Sequence, residues 1–357
     1  MRALVARGVG EPPRVEEVEL PAPAPGEVRV AVRAAGVCHS DLSMLNGTVA
    51  APYPLALGHE AAGVVTETGA DVTRVAPGEH VVLNWAPPCR RCWYCGRDEP
   101  WLCERGGVPA VARGRTAAGE PLHVTLGLGA LAEEVVVPET AVIPVPAELP
   151  FEAAALLGCA VLTGVGAVRR TAGVARGESV VVIGLGGVGL SVVGAARAVG
   201  ADPVLAVDVS PTKAKLALAA GATEFLLSDD SLSRAVRGRT ERRGADHAFE
   251  CVGRGSTIRA AWRAARRGGT VTVVGMGAKD DVVPLSALEI FHSARTLRSS
   301  VYGSSDPDRD VPALARSVLD GSLDLAPLIS DRTDLDGATA AFDRMARGEG
   351  ARTVVVP

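Results

Sequence analysis

The sequence has 357 residues, of which 47% are hydrophobic and 22% charged, a balance typical of a globular protein with about two domains. Its net charge of −4 argues against a nucleic-acid partner, because phosphate binding requires a basic surface. The opening stretch, MRALVARGVGEPP, lacks the apolar core of a secretion signal, so the protein is expected in the cytoplasm.

The first 150 residues are predicted to form a β unit of short antiparallel strands. They are rich in Val, Gly and Pro, and turn signals such as residues 77–78 (Pro-Gly) separate short apolar runs such as 28–32 and 62–66. The chain has seven cysteines, and four of them lie in the segment from Cys89 to Cys103. An odd count without a secretion signal favours thiolate ligands over disulfides.

Four cysteines with close spacing predict a structural metal site: Cys89, Cys92, Cys95 and Cys103. Four thiolates complete a tetrahedron around Zn²⁺ and leave no open position, which suits a structural role. Nearby arginines are expected to offset the negative charge of such a site: Arg90, Arg91, Arg97 and Arg105. Disulfides and an iron–sulfur cluster are the alternatives, and zinc is favoured over both.

A second, dispersed set comprises Cys38, His59 and Cys159. A single Cys or His in an apolar stretch is usually a packing residue. Together, however, two thiolates and one imidazole match the three protein ligands of a catalytic zinc, which keeps its fourth position open.

From about residue 178 the pattern changes to alternating strands and helices, which predicts a parallel sheet covered by helices. The expected strands are 179–183, 204–207, 245–249 and 270–274, and the expected helices include 211–220 and 257–267. Residues 180–201 form the most apolar long stretch, but its glycines and Arg197 indicate strand, turn and helix rather than a membrane span. The last thirty residues or so are predicted to be a helix and a closing strand.

A glycine-rich turn after the first of these strands predicts a dinucleotide site. It contains Gly184, Gly186, Gly187, Val188 and Gly189. These glycines allow a tight turn, close approach of a pyrophosphate and close packing of helix on strand. Asp208 ends the next strand about 20 residues on, where a carboxylate binds the ribose hydroxyls and repels a 2′-phosphate. The cofactor is therefore expected to be NAD, with Lys213 also near the ribose; the alternative is an ordinary glycine-rich turn.

Several motifs in order resemble the zinc-containing medium-chain alcohol dehydrogenases, in their class III-like branch, over essentially the whole chain. The matching stretches are 36–41 (GVCHSD), 58–63 (GHEAAG), the four-cysteine loop, 158–164 (GCAVLTG) and 184–189 (GLGGVG). The resemblance implies an α/β plus β fold. A GroES-like catalytic domain would comprise residues 1–160 and 302–357, and a Rossmann doubly wound parallel-sheet domain would comprise residues 161–301.

The resemblance also implies site residues. Cys38, His59 and Cys159 would hold a catalytic zinc, so that each chain would carry two zinc ions. Asp41 would orient His59, and Glu60 would lie behind the metal. The cofactor contacts would be Thr163, Met276 and Val301 at the nicotinamide, and Arg352 and His39 at the pyrophosphate. An exposed loop histidine is the alternative for His39.

By the same resemblance, Ser40 would take the alcohol proton and pass it through the ribose hydroxyl of the cofactor. Many relatives end this relay with a histidine where this sequence has Ser43, so proton release through water is expected instead. Trp85, on the strand before the four-cysteine loop, would narrow an apolar pocket and favour primary alcohols with a flat or slender carbon beside the hydroxyl. A core position is the alternative for Trp85.

Other functions remain open from the sequence. A thiol-dependent formaldehyde dehydrogenase would use basic residues such as Arg105 and Arg113, and another variant would hold its NAD permanently. A zinc-ribbon scaffold protein belongs to a different class, and the second zinc set argues against it. The resemblance also implies a homodimer formed by strand pairing near residues 296–302, and the length of the segment between Cys103 and Cys159 favours a dimer over a tetramer.

Overall fold

The computed structural model describes residues 1–107 and 110–357. The strands, in chain order, are β1 (Arg2–Ala6), β2 (Arg14–Glu19), β3 (Glu27–Gly36), β4 (Leu55–Ala56), β5 (Ala61–Thr68), β6 (His80–Leu83), β7 (Ala110–Thr116), β8 (Pro121–Thr125), β9 (Glu134–Pro138), β10 (Val142–Pro144), β11 (Val180–Ile183), β12 (Val204–Asp208), β13 (Glu224–Leu227), β14 (Ala245–Glu250), β15 (Ala265–Val273), β16 (Thr296–Ser299), β17 (Ile329–Thr333) and β18 (Arg352–Val355).

The α-helices are α1 (His39–Leu45), α2 (Phe151–Leu156), α3 (Leu162–Gly166), α4 (Gly187–Ala198), α5 (Ala214–Ala219), α6 (Leu232–Arg239), α7 (Gly255–Ala264), α8 (Ala287–Ser293), α9 (Pro307–Leu319) and α10 (Ala338–Ala346). Two π-helical segments, Leu157–Val161 and Ala167–Ala172, join α2 and α3 into one helical run. Short 3₁₀ turns lie at Cys95–Arg97, Pro100–Leu102, Glu139–Ala141, Pro211–Lys213, Tyr302–Ser304 and Ala326–Leu328.

The first part of the chain forms a small barrel and a larger sheet. Strands β1, β2, β7, β8 and β4 close the barrel, and the larger sheet has the order β10-β6-β5-β3-β18-β17, with β9 also paired to β3. The expected β unit is thus present, but it is not wholly antiparallel, because β4 pairs with β8 and β17 with β18 in parallel. Strand β18 lies between β3 and β17, so the C-terminal segment completes the sheet begun by the N-terminal strands.

The second part is a six-stranded parallel sheet of order β13-β12-β11-β14-β15-β16, the strand order of a Rossmann fold. Each expected strand is present, and 270–274 proves to be the end of the longer β15. Strand β11 has four buried apolar residues in succession because helices cover both faces of the sheet. The predicted fold class, α/β plus β, is confirmed; the division of the chain at residues 160 and 302 stays a prediction.

One helical run was not anticipated from the sequence. Phe151–Ala172 is long and apolar enough to cross a membrane by length and composition, but 83% of its most apolar window is buried inside the protein. It packs against β3, β5 and α4 and therefore serves as a core helix. The other apolar stretch, 180–201, forms strand β11, a turn and helix α4, as predicted.

Candidate active site

Three elements distant in sequence bring Cys38, His59 and Cys159 together. Cys38 immediately precedes α1, His59 follows β4, and Cys159 lies in the first π-helical segment of the core run. Their ligand atoms all lie within 4.8 Å of one another, and Cys159 Sγ is 3.5 Å from His59 Nε2. All three are buried. The structure thus assembles the donor set that the resemblance implied.

Asp41 holds the imidazole of His59 from behind. Its Oδ2 lies 3.0 Å from His59 Nδ1, and its Oδ1 accepts a hydrogen bond from the Gly58 N–H at 2.9 Å. A carboxylate on Nδ1 directs the lone pair of Nε2 towards the two sulfurs, which is how metal-binding histidines are usually oriented. Two cysteine sulfurs and an imidazole nitrogen that all lie within 4.8 Å of one another are the donor types that Zn²⁺ prefers, so the residues fit this metal.

A buried ion pair between Glu60 and Arg352 lies against these donors. Arg352 Nη2 lies 3.1 Å from Glu60 Oε2 and 3.3 Å from Cys38 Sγ, and Nη1 donates to the Val37 carbonyl at 3.0 Å. Burial raises the pKa of Glu60 to about 7, although the guanidinium opposes this change. The resemblance implied a pyrophosphate contact for Arg352, and the structure adds contacts of its guanidinium with Glu60 and Cys38.

The same arginine also contacts the glycine-rich turn. A Cβ placed on Gly187 would lie 2.7 Å from Arg352 Nε, and this Nε–H is buried without a hydrogen-bond partner in the described part of the chain. The donor is thus available to a group bound at the turn. Arg352 therefore links the cysteine–histidine cluster to the dinucleotide site, which puts the two sites side by side.

The glycine-rich turn has the shape expected for a pyrophosphate. Gly184 has a φ of 91°, and a Cβ on Gly189 would lie 1.8 Å from the Gly184 carbonyl oxygen, so neither position accepts a side chain. Gly186 is exposed and faces open space. Val188 is half-buried in the first turn of α4, whose N-terminal N–H groups attract anions.

Asp208 and Lys213 are placed differently from each other. Asp208 lies at the end of β12, where its carboxylate accepts hydrogen bonds from the backbone N–H groups of Leu185 at 2.8 Å and Ser210 at 3.0 Å. It therefore fixes the glycine-rich turn. Lys213, which the sequence places near the ribose, is buried, and its ammonium donates to the Gly350 carbonyl. Burial lowers its pKa, and the group packs against the C-terminal segment.

Of the two serines considered for the proton relay, only Ser40 has its hydroxyl near the cysteine–histidine cluster. Ser40 Oγ lies 4.0 Å from Cys38 Sγ and is half-buried. Ser43 is buried and donates to the His39 carbonyl at 3.0 Å, so its hydroxyl is occupied by the backbone. His39 is exposed at the start of α1. Ser43 therefore does not substitute for the histidine of other relays.

Four further thiols converge in the loop after β6. The sulfurs of Cys89, Cys92, Cys95 and Cys103 lie within 4.8 Å of one another. Backbone N–H groups of Cys95 and Glu104 lower the pKa of Cys92 to about 6, which favours a thiolate ligand. The arginines expected to offset this charge have other partners in two cases: Arg90 binds Asp306 through two contacts of 2.8 and 2.6 Å, and Arg97 stacks on Trp93 at 4.4 Å.

Trp85 lies two residues beyond the end of β6 rather than on that strand, and its ring packs against that of Tyr302 with centroids 4.6 Å apart and an interplanar angle of 52°. Its indole Nε1–H is buried and has no partner in the described residues. Thr163 is half-buried, one turn along the core run from Cys159. Met276 and Val301, expected at the nicotinamide, are 54% and 46% exposed, respectively.

Tyr302 was missed by sequence reasoning, and so was Glu250. The Tyr302 hydroxyl donates to the Gly158 carbonyl at 2.6 Å, directly before Cys159, and its ring supports Trp85. Glu250 accepts hydrogen bonds from the N–H groups of Val252 and Gly253, both at 2.8 Å, and so shapes the turn beside Gly184. No motif marks either position, because each acts through a contact made only in the folded chain.

Tyr302→Phe is expected to lower the free energy of unfolding by about 1–3 kcal/mol, because the buried Gly158 carbonyl would lose its hydroxyl donor. Chemical denaturation measures the difference. Tyr94→Phe is the control, since the Tyr94 hydroxyl makes no hydrogen bond in the described residues. Equal stability of the two variants would show that the Tyr302 hydroxyl does not support this segment.

Basic residues near the loop do not converge on the cysteine–histidine cluster. Arg113 pairs with Glu27 at 2.7 Å in the barrel region. Arg105 is exposed, and its backbone N–H points to Cys103 Sγ at 3.4 Å. Neither guanidinium is therefore placed as a ready partner for the carboxylates of a thiol cosubstrate.

Comparison with known proteins identifies both parts of the chain. Residues 24–147 match the alcohol dehydrogenase GroES-like domain, and residues 187–320 match the zinc-binding dehydrogenase domain. The chain is 34% identical to an S-(hydroxymethyl)glutathione dehydrogenase from Photobacterium damsela subsp. piscicida, with 99% of each protein covered.

Solved structures agree over the whole chain. An alcohol dehydrogenase zinc-binding domain protein from Burkholderia ambifaria superimposes with a TM-score of 0.93 at 32% identity, covering 100% of this chain and 98% of the other. The benzyl alcohol dehydrogenase from Acinetobacter calcoaceticus gives 0.91 at 26% identity, covering 99% and 98%. The predicted GroES-like and Rossmann folds are thereby confirmed.

Proposed function

The chain belongs to the zinc-containing medium-chain alcohol dehydrogenases, and on this basis we propose that it oxidises primary alcohols to aldehydes reversibly, with NAD as the hydride acceptor. The observation that carries the proposal is the convergence of Cys38, His59 and Cys159 beside the glycine-rich turn. Three protein ligands leave a coordination position for substrate. We also propose two zinc ions per chain, the second held by the four-cysteine loop.

The residues of the chain act by alignment and proton transfer. When bound, Zn²⁺ supplies the Lewis acidity that favours loss of the hydroxyl proton, and nicotinamide supplies the hydride acceptor. Asp41 fixes the orientation of His59, and the Glu60–Arg352 pair fixes Cys38 from the opposite side. Ser40, whose Oγ lies 4.0 Å from Cys38 Sγ, accepts the substrate proton as it releases its own hydroxyl proton. Water carries that proton onward, because the Ser43 hydroxyl is bonded to the backbone.

The preference for NAD rests on Asp208. Its carboxylate lies beside the glycine-rich turn, where a 2′-phosphate would meet a negative charge without a basic partner, since the Lys213 ammonium is engaged by Gly350. Asp208→Asn is expected to lower kcat/KM for NAD about tenfold, corresponding to about 1.4 kcal/mol, and to raise that for NADP. Initial rates with each cofactor measure both changes. Glu224→Gln, on the next strand, is the control; an unchanged NAD/NADP ratio in Asp208→Asn would refute the role.

The substrate class follows from the apolar wall beside the cluster. Trp85 and its supporting Tyr302 offer flat, apolar surface to the carbon next to the hydroxyl. A second candidate substrate is the adduct of formaldehyde and glutathione, which the curated relative named above favours. The glutathione adduct would need basic side chains for its carboxylates. Because Arg113 is paired with Glu27 and Arg105 is exposed to solvent, a simple alcohol is the favoured substrate.

A substrate panel decides between these candidates. Purified enzyme is assayed by nicotinamide absorbance with benzyl alcohol, straight-chain primary alcohols, secondary alcohols, and formaldehyde with and without glutathione. Turnover of primary alcohols that is independent of glutathione is expected. Activity only with formaldehyde plus glutathione would replace the proposal by the second candidate, and no activity with any substrate would refute both.

We further propose that the enzyme is a cytoplasmic homodimer. None of the seven cysteines, all of which lie in the described residues, forms a disulfide, which is typical of a reducing compartment. Strand β16 is the edge of the parallel sheet, its four residues are exposed, and an apolar surface comprising Leu288, Phe291 and Leu297 lies beside or on it. Open edges and exposed apolar patches are typical of surfaces that pair with another chain.

Leu297→Lys is expected to convert the dimer to a monomer at micromolar concentration, because a charge would be buried in the interface. Light scattering coupled to gel filtration measures the mass. Leu218→Lys, at a similarly exposed position on α5, should leave the dimer intact. A wild-type protein that runs as a monomer would refute the assembly without touching the proposed reaction.

A further inference from the structure

A cavity of about 560 Å³ lies away from the cysteine–histidine cluster, between the four-cysteine loop, the end of the core helical run and the edge strand β16, so it would border the proposed dimer interface. Its charged lining consists of Arg169, Arg170, Arg298, Arg309 and Asp98. Arg169 follows Cys159 by ten residues along the helical run, which corresponds to about 15 Å. The cavity is therefore separate from the proposed alcohol site.

The arginines are only partly neutralised. Arg170 and Arg309 share the carboxylate of Asp310, and Arg309 Nε is 3.0 Å from its Oδ1. Arg298 donates to the Thr171 carbonyl, which carries no net charge. Arg169 is exposed and makes no side-chain hydrogen bond or ion pair in residues 1–107 and 110–357. Four guanidinium groups thus face two carboxylates, Asp98 and Asp310, which leaves an excess of two positive charges.

Capping of the helix accounts for only part of this charge. The core run ends at Ala172, and the exposed carbonyls at a helix C-terminus carry a partial charge of about −0.5. Arg298 already donates to one of these carbonyls, so a single guanidinium is enough to offset the partial charge at the helix end. Most of the positive excess therefore has no partner among the residues that the structure describes, which is the condition for attracting an anion.

Hydroxyl groups line the same wall. Thr171 Oγ1 lies 2.8 Å from both Ser300 Oγ and Ser304 Oγ, and Ser299 is exposed beside them. Guanidinium forks combined with hydroxyl donors are suited to the several oxygens of a phosphate group. The volume exceeds that of phosphate alone and falls within the range of small-molecule sites. We propose that this arginine cavity binds a small phosphate-bearing anion, either free phosphate or a phosphomonoester.

The test is calorimetric titration of the intact enzyme with inorganic phosphate and with glycerol phosphate, at constant ionic strength because salt screens such contacts. Saturating NAD is present to occupy the glycine-rich turn. Arg169→Gln is expected to weaken phosphate binding about tenfold, while kcat/KM for an alcohol stays unchanged, since Arg169 has no structural partner. Arg234→Gln, at an exposed position on α6, which packs on the sheet beside α7, is the matched control.

Each outcome decides the matter. Weakened binding in Arg169→Gln with unchanged binding in Arg234→Gln supports the cavity, and the tighter of the two ligands identifies the source of the phosphate. Equal binding to Arg169→Gln and wild type overturns the site, as does the absence of binding to wild type. Malonate that binds as tightly as phosphate overturns the ligand class. Gel filtration with and without phosphate separates binding from any change in assembly.

Discussion

Cys159→Ser is expected to reduce the zinc content from two ions to one per chain and to lower kcat/KM for alcohol oxidation by on the order of 10³-fold or more. The hydroxyl of serine is a poor zinc ligand beside the thiolate of Cys38 and the imidazole of His59. Loss of the ion removes several kcal/mol of charge stabilisation in the transition state. Elemental analysis of dialysed protein and initial-rate kinetics measure the two effects.

The remaining cysteine outside both clusters provides the control. Cys251→Ala should retain two zinc ions and most of the activity, because Cys251 packs against the core rather than among metal donors. Cys92→Ser should also lose one zinc ion. The main effect should be a lower free energy of unfolding rather than a lower rate, because four cysteines leave no coordination position for substrate. Full zinc content in Cys159→Ser would contradict the assignment of the cysteine–histidine cluster as a metal site.

Arg352→Met is expected to be the most destabilising of the single substitutions considered, at about 3–5 kcal/mol, because it leaves the buried carboxylate of Glu60 without its cationic partner. The Cys38 sulfur and the Val37 carbonyl would lose contacts at the same time. The double variant Glu60→Gln/Arg352→Met should recover much of that loss, since no unpaired buried charge remains. Denaturation of metal-saturated protein measures the three free energies of unfolding.

A surface pair shows what burial contributes to this result. Arg332 and Glu152 are 2.7 Å apart but substantially exposed, so Arg332→Met should cost no more than about 1 kcal/mol. A comparable loss in Arg332→Met and Arg352→Met would mean that burial of the Glu60–Arg352 pair is not the cause. No rescue in the double variant would mean that packing, rather than charge, dominates at Arg352.

The parallel sheet was the part of the fold most accessible from sequence. Strands such as β11 and β12 are buried on both faces, so each is a continuous apolar run that differs clearly from the helices around it. The core helical run was missed because its residues are apolar on every side, which removes the helical periodicity that identifies an amphipathic helix. The parallel pairs β4–β8 and β17–β18 were also not predictable, since pairing depends on long-range topology.

The candidate site divides in a similar way. The four-cysteine loop is local, so spacing alone predicted that its sulfurs would meet. Cys38, His59 and Cys159 needed a family resemblance, because nothing in their spacing indicates a shared location. The partner of Lys213 was not predictable for a related reason: no local pattern indicates that its ammonium donates to the Gly350 carbonyl, 137 residues away. Contacts of this kind are set by how the last strands dock on the rest of the chain.

The docking of strand β18 also has a consequence for the order of events during folding. Arg352 reaches Val37 and Cys38 across more than 300 residues of sequence, and contacts of such separation form late because they close the longest loops. During refolding, the Cys38 sulfur would thus be exposed to solvent until the Arg352 guanidinium packs against it. The docking of β18, rather than the formation of either sheet, would then limit the rate at which newly folded enzyme binds its metal.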